Sequence, residues 1–292
     1  MAIPRSAAEA LCAEHAWRSF PRAVLLLGRQ TVTFDAPTLL GMAAKWGLPA
    51  PAIEIDTTTL QARANPDRQW VSDACFLAML GVTEIHAIDH SDYEGADIIL
   101  DICQPIPPAH AGRYDLIFNG SVLDNVHDTA AALRNIGALC APHGRVVHLE
   151  TATPTRYSYS ALSPSWFFDW AVVNGWADCK LAFGSARDWA GVVDGPWAML
   201  GFDPNAEPRP NAFTPDIGAE LGVQLVIAEK GAHSTHDRGP TQAHYRSDAD
   251  WDRFVELAAP IRASRRPFYM GQDGTGAPVA GYGGVWRSCG HW

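Results

Sequence analysis

Hydrophobic and polar positions change period repeatedly along this chain, and the changes divide it into elements. "RAVLLLGRQTVTF" (22–34) opens with a continuous aliphatic run that meets a glycine, the pattern of a buried strand entering a turn. "APTLLGMAAKWG" (36–47) has helical spacing and stops at Gly47. Residues 48–70 are rich in proline and polar positions around one short run, "AIEID". "VSDACFLAMLG" (71–81) reads as a helix, with Ser72 or Asp73 able to cap its start and Gly81 ending it. Strands are then predicted at "EIHAID" (84–89), "ADIILDI" (96–102), the start of "YDLIFNGSVLDNV" (114–126) and "RVVHLE" (145–150). An amphipathic helix with Asp128 at its cap fills 128–144.

Strands alternating with helices need long crossovers, so the pattern predicts a doubly wound α/β fold with a mostly parallel sheet. The second half is less regular. "SPSWFFDWAVVNGWADCKLAFG" (163–184) predicts an aromatic-rich helix and a strand, "VQLVIAEKG" (223–231) a strand, and "DADWDRFVELAAPIRA" (248–263) a helix. The expected organisation is an N-terminal segment (1–21), an α/β domain (22–263) and a glycine-rich, loosely ordered tail (264–292). Within the domain, 48–81 reads as an insertion beside or over the crevice, and 185–216 as an irregular excursion.

In "HAIDHSDYEGADIILDIC" (86–103), two neighbouring apolar runs each close on an aspartate, Asp89 and Asp101. Two strand-end carboxylates within twelve positions suggest a pair aimed at one polar ligand. In open α/β sheets ligands sit beyond the carboxyl ends of the strands. Gly28, Asp89, Asp101 and Asn119 all fall at predicted strand ends and are expected to line one crevice.

Composition narrows the classes. Apolar residues make up 47% of 292, enough for a sizeable core, and the formal net charge is −10. Without clustered basic residues, broad nucleic-acid binding is not expected. No run approaches the roughly 18 apolar residues of a membrane span, and the first residues lack a signal-peptide pattern. Six scattered cysteines with no CxxC pair read as reduced thiols of a cytoplasmic protein. His127 follows the fourth strand and His148 lies in the fifth, which makes both candidate general bases. "GAHSTHD" carries His233, His236 and Asp237 but lacks a third spaced ligand, so no metal is expected.

Residues 114–150, "YDLIFNGSVLDNVHDTAAALRNIGALCAPHGRVVHLE", resemble the fourth-strand block of class I S-adenosylmethionine-dependent methyltransferases. "VLDNV" stands where that family has a "VLEHV"-like segment, and "CAPHG" where it has a "KPGG"-like turn. "HAIDHSD" and "IILDI" resemble its second and third strands. The resemblance covers roughly 22–150 and implies S-adenosyl-L-methionine as cofactor. Asp89 would hold the ribose hydroxyls, Asp101 and the Ile102 backbone the adenine, and Gly28 and Asn119 would be neighbours. The family's glycine-rich first loop, GxGxG, is reduced here to Gly28, and 61 positions separate Gly28 from Asp89.

The function implied is methyl transfer to an oxygen or nitrogen of a small molecule. The alternative is the same fold repurposed as a non-catalytic partner subunit, or for a non-methylating reaction such as cyclisation. The partners expected are a small-molecule substrate and no nucleic acid or membrane; a homodimer is allowed.

Overall fold

Aliphatic runs in the first half of the chain become strands of one sheet. The computed structural model describes residues 2–156, 158–263 and 285–292. Its strands are β1 (Ala2–Ile3), β2 (Ala23–Leu27), β3 (Thr31–Val32), β4 (Glu84–Asp89), β5 (Ile98–Ile99), β6 (Tyr114–Gly120), β7 (Cys140–Thr151), β8 (Asp178–Ala186), β9 (Ala198–Phe202), β10 (Leu221–Glu229) and β11 (Trp286–His291). Its helices are α1 (Arg5–Trp17), α2 (Ala36–Trp46), α3 (Leu60–Ala64), α4 (Asp73–Met79), α5 (Thr129–Leu139), α6 (Pro164–Val173), α7 (Trp189–Asp194), α8 (Asp248–Leu257) and α9 (Ala259–Arg262).

The main sheet runs β11-β9-β8-β10-β7-β6-β2-β4-β5. Strands β5, β4, β2, β6 and β7 are mutually parallel, and β10 enters antiparallel between β7 and β8. In chain order the parallel part reads third, second, first, fourth, fifth, which is the doubly wound α/β arrangement. The expected fold class is therefore the observed one.

Alternate residues of each strand face opposite layers, and both layers are apolar. Val24 and Leu26 of β2, Phe118 of β6 and Leu149 of β7 pack with α1, α2, α4 and α7. Leu25, Leu27, Ile117 and Val146 pack on the other side with α5, α6 and α8. The capping residues behave as their chemistry dictates. Asp35 accepts from the Thr38 N–H at 3.0 Å, Ser72 from Cys75 at 3.1 Å and Asp128 from Ala131 at 3.0 Å. Gly47 ends α2 at φ 64, a left-handed position suited to glycine.

The structure differs from the sequence pattern at 96–102, at 248–263 and in the tail, and also at 140–144, which open β7 instead of closing the helix expected over 128–144. The run "ADIILDI" pairs only over Ile98–Ile99, because Asp97 turns its carboxylate onto the Ala87 N–H and Asp101 onto that of Cys103. The helix expected over 248–263 divides at Ala258, where Pro260 has no N–H to continue the ladder. The end of the expected loose tail is an edge strand: β11 pairs with β9, and Trp286 is fully buried. The remainder of that tail, 264–284, lies outside the described residues. "AIEID" stays out of the main sheet, with Ile55 bridging Val71 instead. β4 is consequently the direct neighbour of β2.

Candidate functional site

Register aligns the carboxyl ends of the central strands. Leu27 is level with Ile88 on one side and Asn119 on the other, and Asn119 in turn with His148. Gly28 follows at φ 68, its N–H donating to the Ile88 carbonyl at 2.7 Å. Asp89 closes β4 partly buried, with His90 Nδ1 2.7 Å from its carboxylate. Asp101 stands two residues beyond β5, exposed, accepting from the Cys103 N–H at 2.9 Å. Gly28, Asp89 and Asp101 therefore stand at the tips of three adjacent strands. Ile102 is buried next to Asp101, its carbonyl accepting from Asn135 Nδ2 at 2.7 Å.

Asn119 belongs to a different constellation. Its carboxamide is sealed, donating to Glu150 Oε1 at 2.5 Å and lying 2.9 Å from His148 Nδ1, while its oxygen accepts from the Val122 N–H at 3.1 Å. Glu150 also accepts from the N–H groups of Leu123 (3.1 Å) and Asp124 (3.2 Å). Asp124 accepts from the hydroxyls of Ser121 at 2.9 Å and Thr151 at 2.7 Å. Burial first, then the Asp124 charge, push the Glu150 carboxyl well above its ordinary range. Ser121 holds a left-handed φ of 63, a conformation that costs a non-glycine residue energy. The Glu150 and Asn119 bonds fasten the turn that carries it.

These residues floor a cavity of about 350 Å³ at the tips of β6 and β7. Ser121, Asp124, Glu150 and Thr151 supply its polar wall, and Trp70 and Trp189 its aromatic sides. Among the described residues no lysine, arginine or histidine lines it. Gln61 and Trp70, both from the 48–81 segment, reach its rim. The same segment lies beside the β4 tip: the Leu60 N–H donates to Glu94, and Arg63 stacks 4.7 Å from the Tyr93 ring.

Between β2 and β6, where the strand order reverses, the first loop is closed by its own side chains. Gln30 is fully buried, its Nε2 donating to the Leu27 and Gly28 carbonyls at 3.1 and 2.9 Å. A Cβ on Gly120 would overlap the Gln30 carboxamide, so that side chain sits on the β6 tip. Arg29 pairs with buried Asp73, which also accepts the Gln30 N–H at 2.9 Å. In a GxGxG reading, Gln30 and Val32 hold the places of the second and third glycines.

The two histidines part company. His148 is sealed in β7 against the Phe167 ring, and burial lowers its pKa to about 3. It stays uncharged through the neutral range and lines no described cavity. His127 is exposed on the loop before α5. Among the described residues no group of three His, Cys, Asp or Glu side chains could hold a metal.

Sequence reasoning missed Ser121, Asp124, Glu150, Thr151 and Gln30. One signal was present: "RVVHLE" closes on a carboxylate just as "HAID" does. The roles of Ser121 and Gln30 depend on which strands become neighbours, and that is not written locally.

No family model matches the chain, and no curated protein matches it. Solved structures do, at low identity. The CurJ carbon methyltransferase is 14% identical with a TM-score of 0.38, over 79% of this chain and 55% of that one. The chain thus spans about half the length of that methyltransferase. The 1,6-didemethyltoxoflavin-N1-methyltransferase of Burkholderia thailandensis, solved with S-adenosylhomocysteine, is 13% identical with a TM-score of 0.35, over 78% of each chain. The cyclase SpnF is 10% identical with a TM-score of 0.36, over 76% of this chain and 79% of that one. The chain's own strand order defines it as a doubly wound α/β protein. No helix among the described residues is long and apolar enough to cross a membrane.

Proposed function

We propose that the chain transfers a methyl group from S-adenosylmethionine to an oxygen or nitrogen of a small molecule. One observation carries the reading: two carboxylates at adjacent strand tips, Asp89 and Asp101, on the same sheet edge as a cavity walled by Ser121, Asp124 and Thr151. The donor set suits the adenosine half of that cofactor. Asp89 can accept both vicinal ribose hydroxyls, and Asp101 the exocyclic amine beside the Ile102 backbone. At the methionine end, the buried Gln30 carboxamide fills the turn after Gly28 where a glycine loop would leave bare backbone. When bound, the cofactor supplies an electrophilic methyl group.

The chain's own residues do the rest by placement. Ser121 and Thr151 hydroxyls and the Asp124 carboxylate orient a substrate O–H or N–H. Glu150 holds the 121–124 turn through the Leu123 and Asp124 N–H groups. A lining that is acidic among the described residues favours a neutral or cationic substrate over an anionic one. The Trp70 and Trp189 rings exclude water and suit an apolar or cationic body. Of the two histidines, exposed His127 is the one open to a substrate proton, and His148 is a packing residue.

Calorimetric titration with S-adenosylhomocysteine tests this. Asp89→Ala removes two hydrogen bonds to a charged acceptor, each worth roughly 1.5–3 kcal/mol before water replaces them. Affinity should fall about ten- to a hundredfold while the fold is retained; unchanged affinity would make Asp89 only a turn residue.

A second reading, the same fold working without this cofactor, draws support from the closed first loop around Gln30. Wild-type protein that gives no heat with S-adenosylhomocysteine would favour it.

A further inference from the structure

A second cavity, of about 220 Å³, opens where the end of α6 meets α8, and its charge is opposite to that of the chain. Arg238, Arg246 and Arg253 all line it, in a protein of formal net charge −10. The carboxylate on its wall, Asp250, is occupied in a capping box, accepting from the Ser247 N–H at 3.1 Å and hydroxyl at 2.7 Å.

Arg246 is the floor. Its side chain is only 2% exposed, with the guanidinium carbon 3.8 Å from the Phe254 ring centroid and 4.7 Å from that of Trp251. Nη2 lies 2.6 Å from Asp169 Oδ2, and Nη1 makes no hydrogen bond among the described residues. A buried guanidinium with an unspent donor is costly unless something accepts from it. The wall is built in advance. Buried Asn174 accepts the Arg238 N–H at 3.1 Å and donates to the Arg238 carbonyl at 2.9 Å, and Trp176 Nε1 donates to the Thr235 carbonyl at 3.1 Å. The loop that presents Arg238 is thereby fixed to the end of α6. Arg253, exposed on α8, lines the same cavity.

We propose that this cavity is a binding site for a small tetrahedral oxyanion, a phosphate or phosphate monoester, held between Arg238 and Arg253 over the buried Arg246. Guanidinium groups converging from a loop and a helix match oxygens that point in several directions, which a planar carboxylate does not offer. The volume is too small for a nucleotide-sized ligand and suits a single phosphoryl group with a short substituent. The site stands apart from the acidic cavity at the strand tips and does not depend on methyl transfer.

The test is thermal unfolding and calorimetry of the full chain in potassium phosphate against potassium chloride at equal ionic strength. Phosphate should raise Tm saturably, by about 2–5 °C at tenfold excess over Kd. Arg238→Gln and Arg253→Gln, both at exposed positions and checked for folding by circular dichroism, should each weaken binding about tenfold. Methyl phosphate binding as tightly as phosphate assigns an ester ligand; phosphate binding alone assigns the free ion. The proposal is overturned if phosphate does no more than chloride, if its effect survives in the double variant, or if acetate acts equally.

Discussion

The buried imidazole of His148 makes acid sensitivity a quantitative matter. Burial lowers its pKa from 6.5 to about 3. A group whose folded pKa is depressed contributes stability above its unfolded value, and that stability is lost as pH falls towards the folded one. The window therefore runs from about pH 6.5 down to 3. At pH 5 the unfolded chain holds this proton and the folded chain does not. That is 1.5 pH units at 1.36 kcal/mol each, or about 2 kcal/mol lost relative to pH 7.5.

Asp169 works in the opposite direction. Burial raises its pKa from 3.8 to about 6 against the pull of Arg246. A raised carboxyl favours the folded state most fully below its unfolded pKa, and that contribution disappears as pH rises through 6. Going from pH 7.5 to 5 it returns about 1.4 kcal/mol, offsetting roughly two thirds of the His148 loss. The wild-type profile alone thus mixes the two groups, and variants separate them. Urea unfolding at both pH values should show His148→Gln losing about 2 kcal/mol less than wild type on acidification. Asp169→Asn should lose about 1.4 kcal/mol more. Both are differences between pH values, so the cost of each substitution itself drops out. If His148→Gln follows the wild-type profile, the imidazole is not held neutral by the fold and the reasoning fails.

Two further substitutions address packing. Gly120→Ala should cost roughly 1–3 kcal/mol, because the new Cβ meets Gln30, and that cost should shrink in a Gln30→Gly background; equal costs in a double-mutant cycle would mean Gln30 does not sit on the β6 tip. The same Gln30→Gly change should tighten S-adenosylhomocysteine binding if the carboxamide narrows the cofactor crevice, which calorimetry reads directly. Glu14→Gln should destabilise by about 3 kcal/mol, since the buried carboxylate lies 2.9 Å from Lys180 Nζ and 3.4 Å from Arg145 Nη1 and its loss leaves those cations poorly compensated; chemical denaturation with an unchanged midpoint would show that water or Asp178 already serves them.

Much of the scaffold was legible because it is local. A strand such as "EIHAID" and caps such as Ser72 and Asp128 depend on neighbours a few positions away, and the structure uses each as its chemistry suggests. What was illegible depends on distant partners. β11 looks like loose glycine-rich chain until β9 offers it an edge, and its Trp286 finds a buried place against Phe202 and Phe183. Gln30 reads as a polar loop residue until Gly120 is brought under it.

The strand-end carboxylates show why one sequence sign has two physical outcomes. Asp89, Asp101 and Glu150 each follow an aliphatic run, yet Asp101 is exposed and Glu150 is 1% exposed. The difference lies in strand position. β5 is the outermost strand at that end of the sheet and β4 stands one strand in, and the loops that follow leave Asp101 exposed and Asp89 partly exposed. β7 lies at the middle of the sheet, so a carboxylate at its tip must find donors inside the fold. Glu150 finds them in Asn119, Leu123 and Asp124, and in doing so fastens the turn that holds Ser121 at positive φ beside the cavity. Under the proposed function the outer carboxylates would bind the cofactor, while the inner one shapes the turn. A substitution at Glu150 should accordingly alter the cavity's geometry, and one at Asp89 only what the sheet edge can hold.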